Sequence, residues 1–201
     1  MTTARDLALV VLGLPPGHTV EQGDLSLALA GAEAVDLLAV GALTLDGDRL
    51  VPDGRAATGD RLLDHALASL ARHEPHPVVR DWLWRHGSEL ADTYAEDLER
   101  AGLLVQPRRR GLRLRSVRTV PADSPERRRA QERLDSGDPV LTALTAVLGT
   151  GDGPSVPGGS PAGDDAVATV LAAVGDAVTE LEAVRLRRGV EDAAFDNMWR
   201  G

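Results

Sequence analysis

The stretch Asp24-Leu-Ser-Leu-Ala-Leu-Ala-Gly-Ala-Glu-Ala-Val-Asp-Leu-Leu-Ala-Val-Gly41 decides the fold of this chain. Apolar residues recur in it at spacings of three and four, the period of one helical face: Leu25, Leu29, Ala32, Val35, Leu38 and Ala39. We predict a helix with Asp24 as its N-cap that stops at Gly41. Its apolar stripe is wide enough for a helix in the core.

The composition favours packed helices around that segment. The chain has 201 residues, of which 43% are hydrophobic and 26% charged, enough to bury a core. Aromatic residues make up only 2%, so Leu, Val and Ala must fill the core, which suits helices better than a sheet sandwich. We therefore predict a mainly α fold, a single helical domain over residues 1–201 with short β-hairpins.

The absence of cysteine limits the chemistry and the compartment. No disulfide framework, thiolate metal site or cysteine nucleophile can form, and a reducing cytoplasm fits. The apolar run from Leu7 to Leu14 is too short to cross a bilayer. We expect a soluble or peripheral protein.

Other segments also have the helical period and recognisable ends. Residues 3–6 (Thr-Ala-Arg-Asp) form the pattern of a capping box, and residues 58–60 (Thr-Gly-Asp) precede another amphipathic stretch. Ser88 is expected to cap a helix, and residues 125–148 return to helix with an interruption near Gly137. These patterns predict a chain that is helical over most of its length.

Two hairpins and one linker separate the helices. Residues 43–51 alternate around an Asp-Gly turn, which predicts a short hairpin. Residues 103–120 alternate around the tip Gln106-Pro-Arg-Arg-Arg-Gly111, which predicts a second hairpin with Arg on its outward face. Residues 149–163 are rich in Gly and Pro and predict a flexible linker. A C-terminal amphipathic helix should follow, ending at about Arg188.

The charge is divided unevenly along the chain. All 22 basic residues are Arg, and the net charge is −9. Residues 108–133 contain ten Arg and three acidic residues, a net charge of +7, while the rest of the chain has −16. The alternative to an anion-facing patch is a solvated run that pairs with the acidic body. The candidate lipid- or anion-binding residues are Arg108, Arg109, Arg110, Arg113 and Arg115.

No catalytic centre, cofactor or metal site is predicted. His73 and His76 are separated by a proline that prevents a regular helical register between them. Asp60 and Asp64 fit an N-cap and a solvated helix face better than a cation site. The Gly-x-Gly-x-Gly at residues 149–153 follows a helix and lacks the Lys of a phosphate loop.

Several segments, in this order, resemble the Golgi phosphoprotein 3 family: residues 6–14, 28–38, 58–67, 79–83 and 98–104. The likeness runs from about residue 4 to 148, and more loosely to the end. Its most specific part is Thr58-Gly-Asp-Arg-Leu-Leu-Asp-His-Ala-Leu67. The all-Arg, Ala- and Gly-rich composition indicates a bacterial, and specifically actinobacterial, member. The resemblance implies a mainly helical domain with a projecting hairpin, no catalytic activity and peripheral membrane association.

The resemblance also implies a ligand. Eukaryotic members bind phosphatidylinositol 4-phosphate with one Trp and three Arg, and link glycosyltransferases to coatomer. The corresponding positions here are Glu21, Ala30, Ser88 and Ala91, which cannot clasp a phosphate between guanidinium groups. The hairpin matches the family in position, but its tip has Arg in place of apolar residues.

These observations predict a non-enzymatic protein that is cytoplasmic and peripheral on the inner face of the membrane. Its partners should be anionic membrane lipid head groups, bound through the Arg-rich hairpin. One alternative is an adaptor that uses residues 103–120 to bind a protein or a second copy of itself. Another is a winged-helix-like nucleic-acid binder, but no Lys or Arg occurs between Asp6 and Asp48, so no nucleic acid is expected.

Overall fold

The computed structural model describes residues 2–15, 18–54, 57–71, 74–105, 120–150 and 165–198. Their helices are α1 (Thr3–Leu12), α2 (Gln22–Ala39), α3 (Arg61–Ala71), α4 (Val79–His86), α5 (Leu90–Arg100), α6 (Pro125–Asp135), α7 (Pro139–Val147) and α8 (Asp165–Met198). Their strands are β1 (Leu43–Asp46), β2 (Arg49–Pro52), β3 (Leu104–Val105) and β4 (Val120–Pro121). The predicted mainly α fold with short β-hairpins is confirmed.

Helix α2 lies at the centre of the structure and packs against α1, α3, α4, α5, α7 and α8. Every residue from Leu25 to Val35 is buried, as expected for a helix that is covered on all sides. The predicted N-cap was wrong: α2 begins at Gln22 after Glu21, and Asp24 lies inside its first turn. The Asp24 carboxylate accepts a hydrogen bond from Arg185 of α8 at 2.8 Å, so its partner is distant in sequence.

Three other predicted helix ends differ from the structure. The N-cap of α1 is Thr2, whose side chain accepts from the Arg5 amide, and not the predicted capping box at residues 3–6. Glu89, in the left-handed conformation, precedes α5, so Ser88 is not its cap. Helix α8 continues past Arg188 to Met198. The predicted helices exist, but their ends depend on contacts that local patterns do not contain.

The first predicted hairpin is confirmed, and the base of the second is present. Strands β1 and β2 pair antiparallel, with Leu43 opposite Pro52 and Asp46 opposite Arg49. Strands β3 and β4 pair at residues 104–105 and 120–121. The predicted tip between them lies outside the described residues, as does most of the predicted linker at 149–163.

Gly31 lets α2 and α8 pack closely together. A Cβ at this position would overlap Cγ2 of Val174, a β-branched side chain that is itself buried and cannot swing away. We expect Gly31→Ala to lower the free energy of unfolding by about 1–3 kcal/mol despite the better helix propensity of Ala. Gly189→Ala, where nothing lies within 4 Å of the added Cβ, should leave stability unchanged or raise it. Thermal unfolding of both variants tests this packing; equal midpoints would contradict it.

Candidate functional site

A groove of about 490 Å³ opens between the N-terminal turns of α2, the junction of α4 and α5, and α8. Its lining residues are Gln22, Gly23, Ser26, Leu27, Trp84, Gly87, Ser88, Glu89, Asp92 and Leu181. Of the four positions that the resemblance assigns to a lipid pocket, Ser88 lines this groove and Glu21 directly precedes a lining residue. The structure therefore brings these two positions to one surface.

The other two positions lie in the core beside this groove. Ala30 is fully buried in α2 and Ala91 is buried in α5. The Ala91 amide donates a hydrogen bond to Oγ of Ser26 at 3.0 Å, which fixes α5 against α2. The groove itself has the carboxylates of Glu89 and Asp92, and none of the described residues lining it is basic. Its electrostatics therefore disfavour a phosphate ligand.

The predicted Arg site lies outside the described residues. Arg108, Arg109, Arg110, Arg113 and Arg115 all fall within residues 106–119, between β3 and β4. The structure shows how the two ends of this segment are attached to the body. The antiparallel pairing and a 2.8 Å hydrogen bond from the Ala122 amide to the Leu103 carbonyl bring its two ends together on the body.

Arginines of the body are largely engaged in ion pairs with acidic residues. The arginines in ion pairs are Arg5, Arg61, Arg80, Arg100, Arg128, Arg129, Arg133 and Arg185. Within α6 and its approach, Arg128 contacts Asp123 at 2.6 Å and Arg129 contacts Glu126 at 3.1 Å. In α6, the arginines named above therefore pair with acidic residues, as the alternative to an anion-facing patch predicts. Residues 106–119 contain six Arg and no acidic residue, so no neighbour within that segment can neutralise them.

A polar network inside the core connects α2 to α4 and α5. The Glu33 side chain is 1% exposed, and its two oxygens meet Nε2 of His86 at 2.5 Å and the hydroxyl of Tyr94 at 2.9 Å. The His86 ring stacks on Trp82, with ring centroids 4.6 Å apart. The indole N–H of Trp82 donates to Oγ of Ser69 in α3 at 3.3 Å. Because Glu33, Trp82 and Tyr94 are buried, their hydrogen bonds and ring contacts hold α2, α4 and α5 together in the core.

Sequence reasoning missed this network, although it contained one signal. Glu33 lies in α2 between Ala32 and Ala34, within an otherwise apolar stretch that the helical period places in the core. A carboxylate there needs buried partners, because an unpaired buried charge is costly. Nothing local identifies His86 and Tyr94 as those partners, since they are 53 and 61 residues away.

The burial of Glu33 predicts a pH-dependent contribution to stability. Burial raises the pKa of Glu33 above its ordinary value of 4.5, against the opposing effect of hydrogen bonds from His86 and Tyr94. The folded state therefore binds the proton of the Glu33 carboxyl group more tightly than the unfolded state does. The free energy of unfolding consequently falls as pH rises through the pKa of Glu33 in the folded state. Glu33→Gln keeps the side-chain shape and does not titrate. We expect denaturant unfolding to show that the free energy of unfolding of Glu33→Gln rises relative to that of the wild type between pH 4.5 and neutral pH. A pH-independent difference would contradict this.

The two carboxylates in the segment at residues 58–67 bind backbone and side-chain donors. Oδ1 of Asp60 accepts from the amides of Leu62 and Leu63, which confirms Asp60 as the N-cap of α3. Oδ1 of Asp64 accepts from the amide and the hydroxyl of Thr58, and these hydrogen bonds lower the pKa of Asp64. The segment that most specifically carries the family resemblance thus fixes the start of a helix.

Neither a metal-binding cluster nor a membrane-spanning helix occurs in the part of the chain that the structure describes. In the described ranges, no group of three or more His, Asp or Glu residues could hold a metal ion. His73, one of the two candidate ligands considered from the sequence, lies outside those ranges. Among the helices that the structure describes, none is both long and apolar enough to cross a membrane.

The fold and the site together define a class. This is a mainly helical protein in which two short paired strands, β3 and β4, flank an Arg-rich segment. The chain belongs to the Golgi phosphoprotein 3 (GPP34) family, whose model matches residues 4–194. The comparison with individual curated proteins returned no significant match. The resemblance identified from residues 4–148 is therefore confirmed, and the match extends into α8.

Proposed function

We propose that this chain is a non-enzymatic peripheral membrane protein that binds anionic phospholipid through residues 106–119. The contacts would be Arg108, Arg109, Arg110, Arg113 and Arg115. The observation that carries the proposal is that both ends of this segment are held together by β3 and β4, while the segment has six Arg and no acidic residue. A cationic segment tethered at both ends can meet a charged surface without unfolding the body.

The expected attraction is moderate. Each Arg near an anionic leaflet contributes about 1 kcal/mol, and the acidic body opposes this attraction. Screening limits the reach of the charges to about 8 Å at physiological ionic strength. We therefore expect salt-sensitive binding on the inner face of the membrane, where anionic lipid is exposed to the cytoplasm.

Flotation with vesicles tests the proposal. The wild-type chain should float with vesicles that contain phosphatidylglycerol, remain unbound with pure phosphatidylcholine vesicles, and dissociate from the anionic vesicles as salt is raised. Equal flotation with neutral vesicles, or flotation that high salt does not reduce, would contradict it.

Lipid selectivity gives a separate prediction. Vesicles containing phosphatidylinositol 4-phosphate should bind the chain no better than phosphatidylglycerol vesicles of the same surface charge, because Glu21, Ala30, Ser88 and Ala91 supply no guanidinium group. Flotation at matched charge measures this. A clear preference for the phosphoinositide would mean that another pocket recognises its head group.

A protein adaptor is the second candidate, and one observation favours it. The exposed groove side chains Glu89 and Asp92 could receive the Arg-rich segment of a second copy of the chain. Light scattering separates the two functions: a concentration-dependent dimer that salt dissociates, together with no flotation, would favour the adaptor.

A further inference from the structure

Helix α8 runs antiparallel to α2 and continues past its first residue. Val174 of α8 lies beside Gly31, and Leu181 lies beside Gly23, near the start of α2. Arg185 then pairs with Asp24 at 2.8 Å. Residues 186–198, here called the α8 extension, follow this last contact and add about 20 Å of helix. The α8 extension therefore lies beyond the N-terminal end of α2.

The first turn of the α8 extension is exposed on every side. Residues 186–190 are all exposed, and five consecutive residues span more than one helical turn. Leu186 is 65% exposed and Val190 is 70% exposed, the highest values for large apolar side chains in the described part of the chain. Because they are four residues apart, they lie on one face of the helix. At Gly189, nothing lies within 4 Å of an added Cβ, so the body leaves this surface open.

The α8 extension gains from a partner that covers this apolar face. A helical segment of this length is marginally stable in water by itself, and Gly189 lowers its helix propensity further. Contacts across the exposed face would supply the packing that stabilises most helices in proteins.

The charges of the α8 extension change sign along its axis. Arg187 and Arg188 come first, and Glu191 and Asp192 follow within the next turn. Two parallel copies would place like charges side by side, whereas two antiparallel copies place the arginines of each beside the acidic residues of the other. The acidic residues also disfavour an anionic membrane as the covering surface. The α8 extension is therefore complementary to a second copy of itself.

We propose that two copies of this chain form a homodimer in which their α8 extensions pair antiparallel about a twofold axis near Gly189. Leu186 of each copy contacts Val190 of the other, because both sides of a twofold interface use the same residues. The missing side chain of Gly189 leaves room for the two backbones to approach at the crossing. A contact between two short helices is small for a specific interface, so we expect dissociation in the micromolar range.

Sedimentation equilibrium of the full chain tests the dimer. The wild type should show a monomer–dimer equilibrium, and Leu186→Glu together with Val190→Glu should weaken it about a hundredfold, because the apolar contacts are lost from both halves of the interface. Both positions are exposed, so the double variant should fold normally. Val40→Glu is the matched control, since Val40 is 59% exposed and lies at the end of α2 opposite Asp24. A wild type that stays monomeric, or a double variant that dimerises as strongly as Val40→Glu, would overturn the inference.

Single cysteines test the antiparallel orientation, because the natural chain has none. Under mild oxidation, Gly189→Cys should form an intermolecular disulfide, since the two copies of residue 189 meet at the twofold axis. Glu182→Cys, an exposed position on the same helix, should not, because antiparallel pairing places its two copies about 20 Å apart, too far for a disulfide. Equal linking at both positions would indicate parallel helices and contradict the proposed pairing.

The dimer and the proposed membrane function can fail separately. Replacing Arg108, Arg109 and Arg110 with Ala should leave the dimer unchanged, whereas a dimer formed by the Arg-rich segment in the groove of a second copy would be lost. Leu186→Glu together with Val190→Glu should still float with phosphatidylglycerol vesicles. A monomeric wild type whose flotation this double variant abolished would show that the membrane, and not a second copy, covers the α8 extension.

Discussion

Replacing Arg108, Arg109 and Arg110 together with Ala should weaken binding to phosphatidylglycerol vesicles about a hundredfold. Three guanidinium groups near an anionic leaflet contribute about 3 kcal/mol, and each 1.4 kcal/mol corresponds to about a factor of ten. Co-sedimentation over a range of lipid concentrations gives the two partition coefficients. The midpoint of thermal unfolding should be almost unchanged, because residues 106–119 contain no acidic partner for these arginines.

A matched control separates location from net charge. Arg85, Arg187 and Arg188 are exposed and lie on α4 and α8, outside the segment between β3 and β4. Replacing these three with Ala changes the net charge by the same amount. We expect this variant to keep most of its vesicle binding. If both triple variants lost binding equally, the attraction would belong to the whole protein and not to residues 106–119.

Replacing Glu33 with Ala should cost about 2–4 kcal/mol of folding free energy, because each buried polar atom that loses its hydrogen-bond partner costs about 1–3 kcal/mol. The change removes the partner of both His86 and Tyr94, whose polar atoms would then be buried without it. Urea unfolding measures the loss. Glu182→Ala, at an exposed site on α8, should change stability by less than about 0.5 kcal/mol. A similar small change for Glu33→Ala would show that the network does not hold the helices together.

The periodicity of the sequence was sufficient to predict most of the helices and the first hairpin. It placed the central helix correctly because Leu25 to Val35 are apolar at almost every turn, so no competing period exists. It failed at the helix ends. Asp24 looks like an N-cap, yet Arg185 of α8 draws its carboxylate into an ion pair 161 residues away in sequence. Tertiary contacts of this kind have no local signature.

Some features of the candidate sites could likewise be predicted from the sequence, and others could not. The Arg-rich segment was visible because its charges are consecutive, but only the ion pairs of Arg128, Arg129 and Arg133 separate the neutralised part of the basic region from the rest. The ion pair between Asp6 and Arg133 could not be predicted. Asp6 reads as a first-turn acid of α1, and its partner Arg133 is 127 residues away.

A label at a single cysteine tests most directly which face of the protein meets the membrane. The natural chain has no cysteine, so Gly111→Cys and Ser88→Cys each give one site for an environment-sensitive fluorophore. Gly111 directly follows Arg108-Arg-Arg110 in the sequence, and Ser88 lines the groove at a position that the family resemblance assigns to lipid. On addition of phosphatidylglycerol vesicles, we predict a blue shift and increased emission from the probe at residue 111 and no change at residue 88. A response at residue 88 with none at residue 111 would contradict the proposed mode of membrane binding.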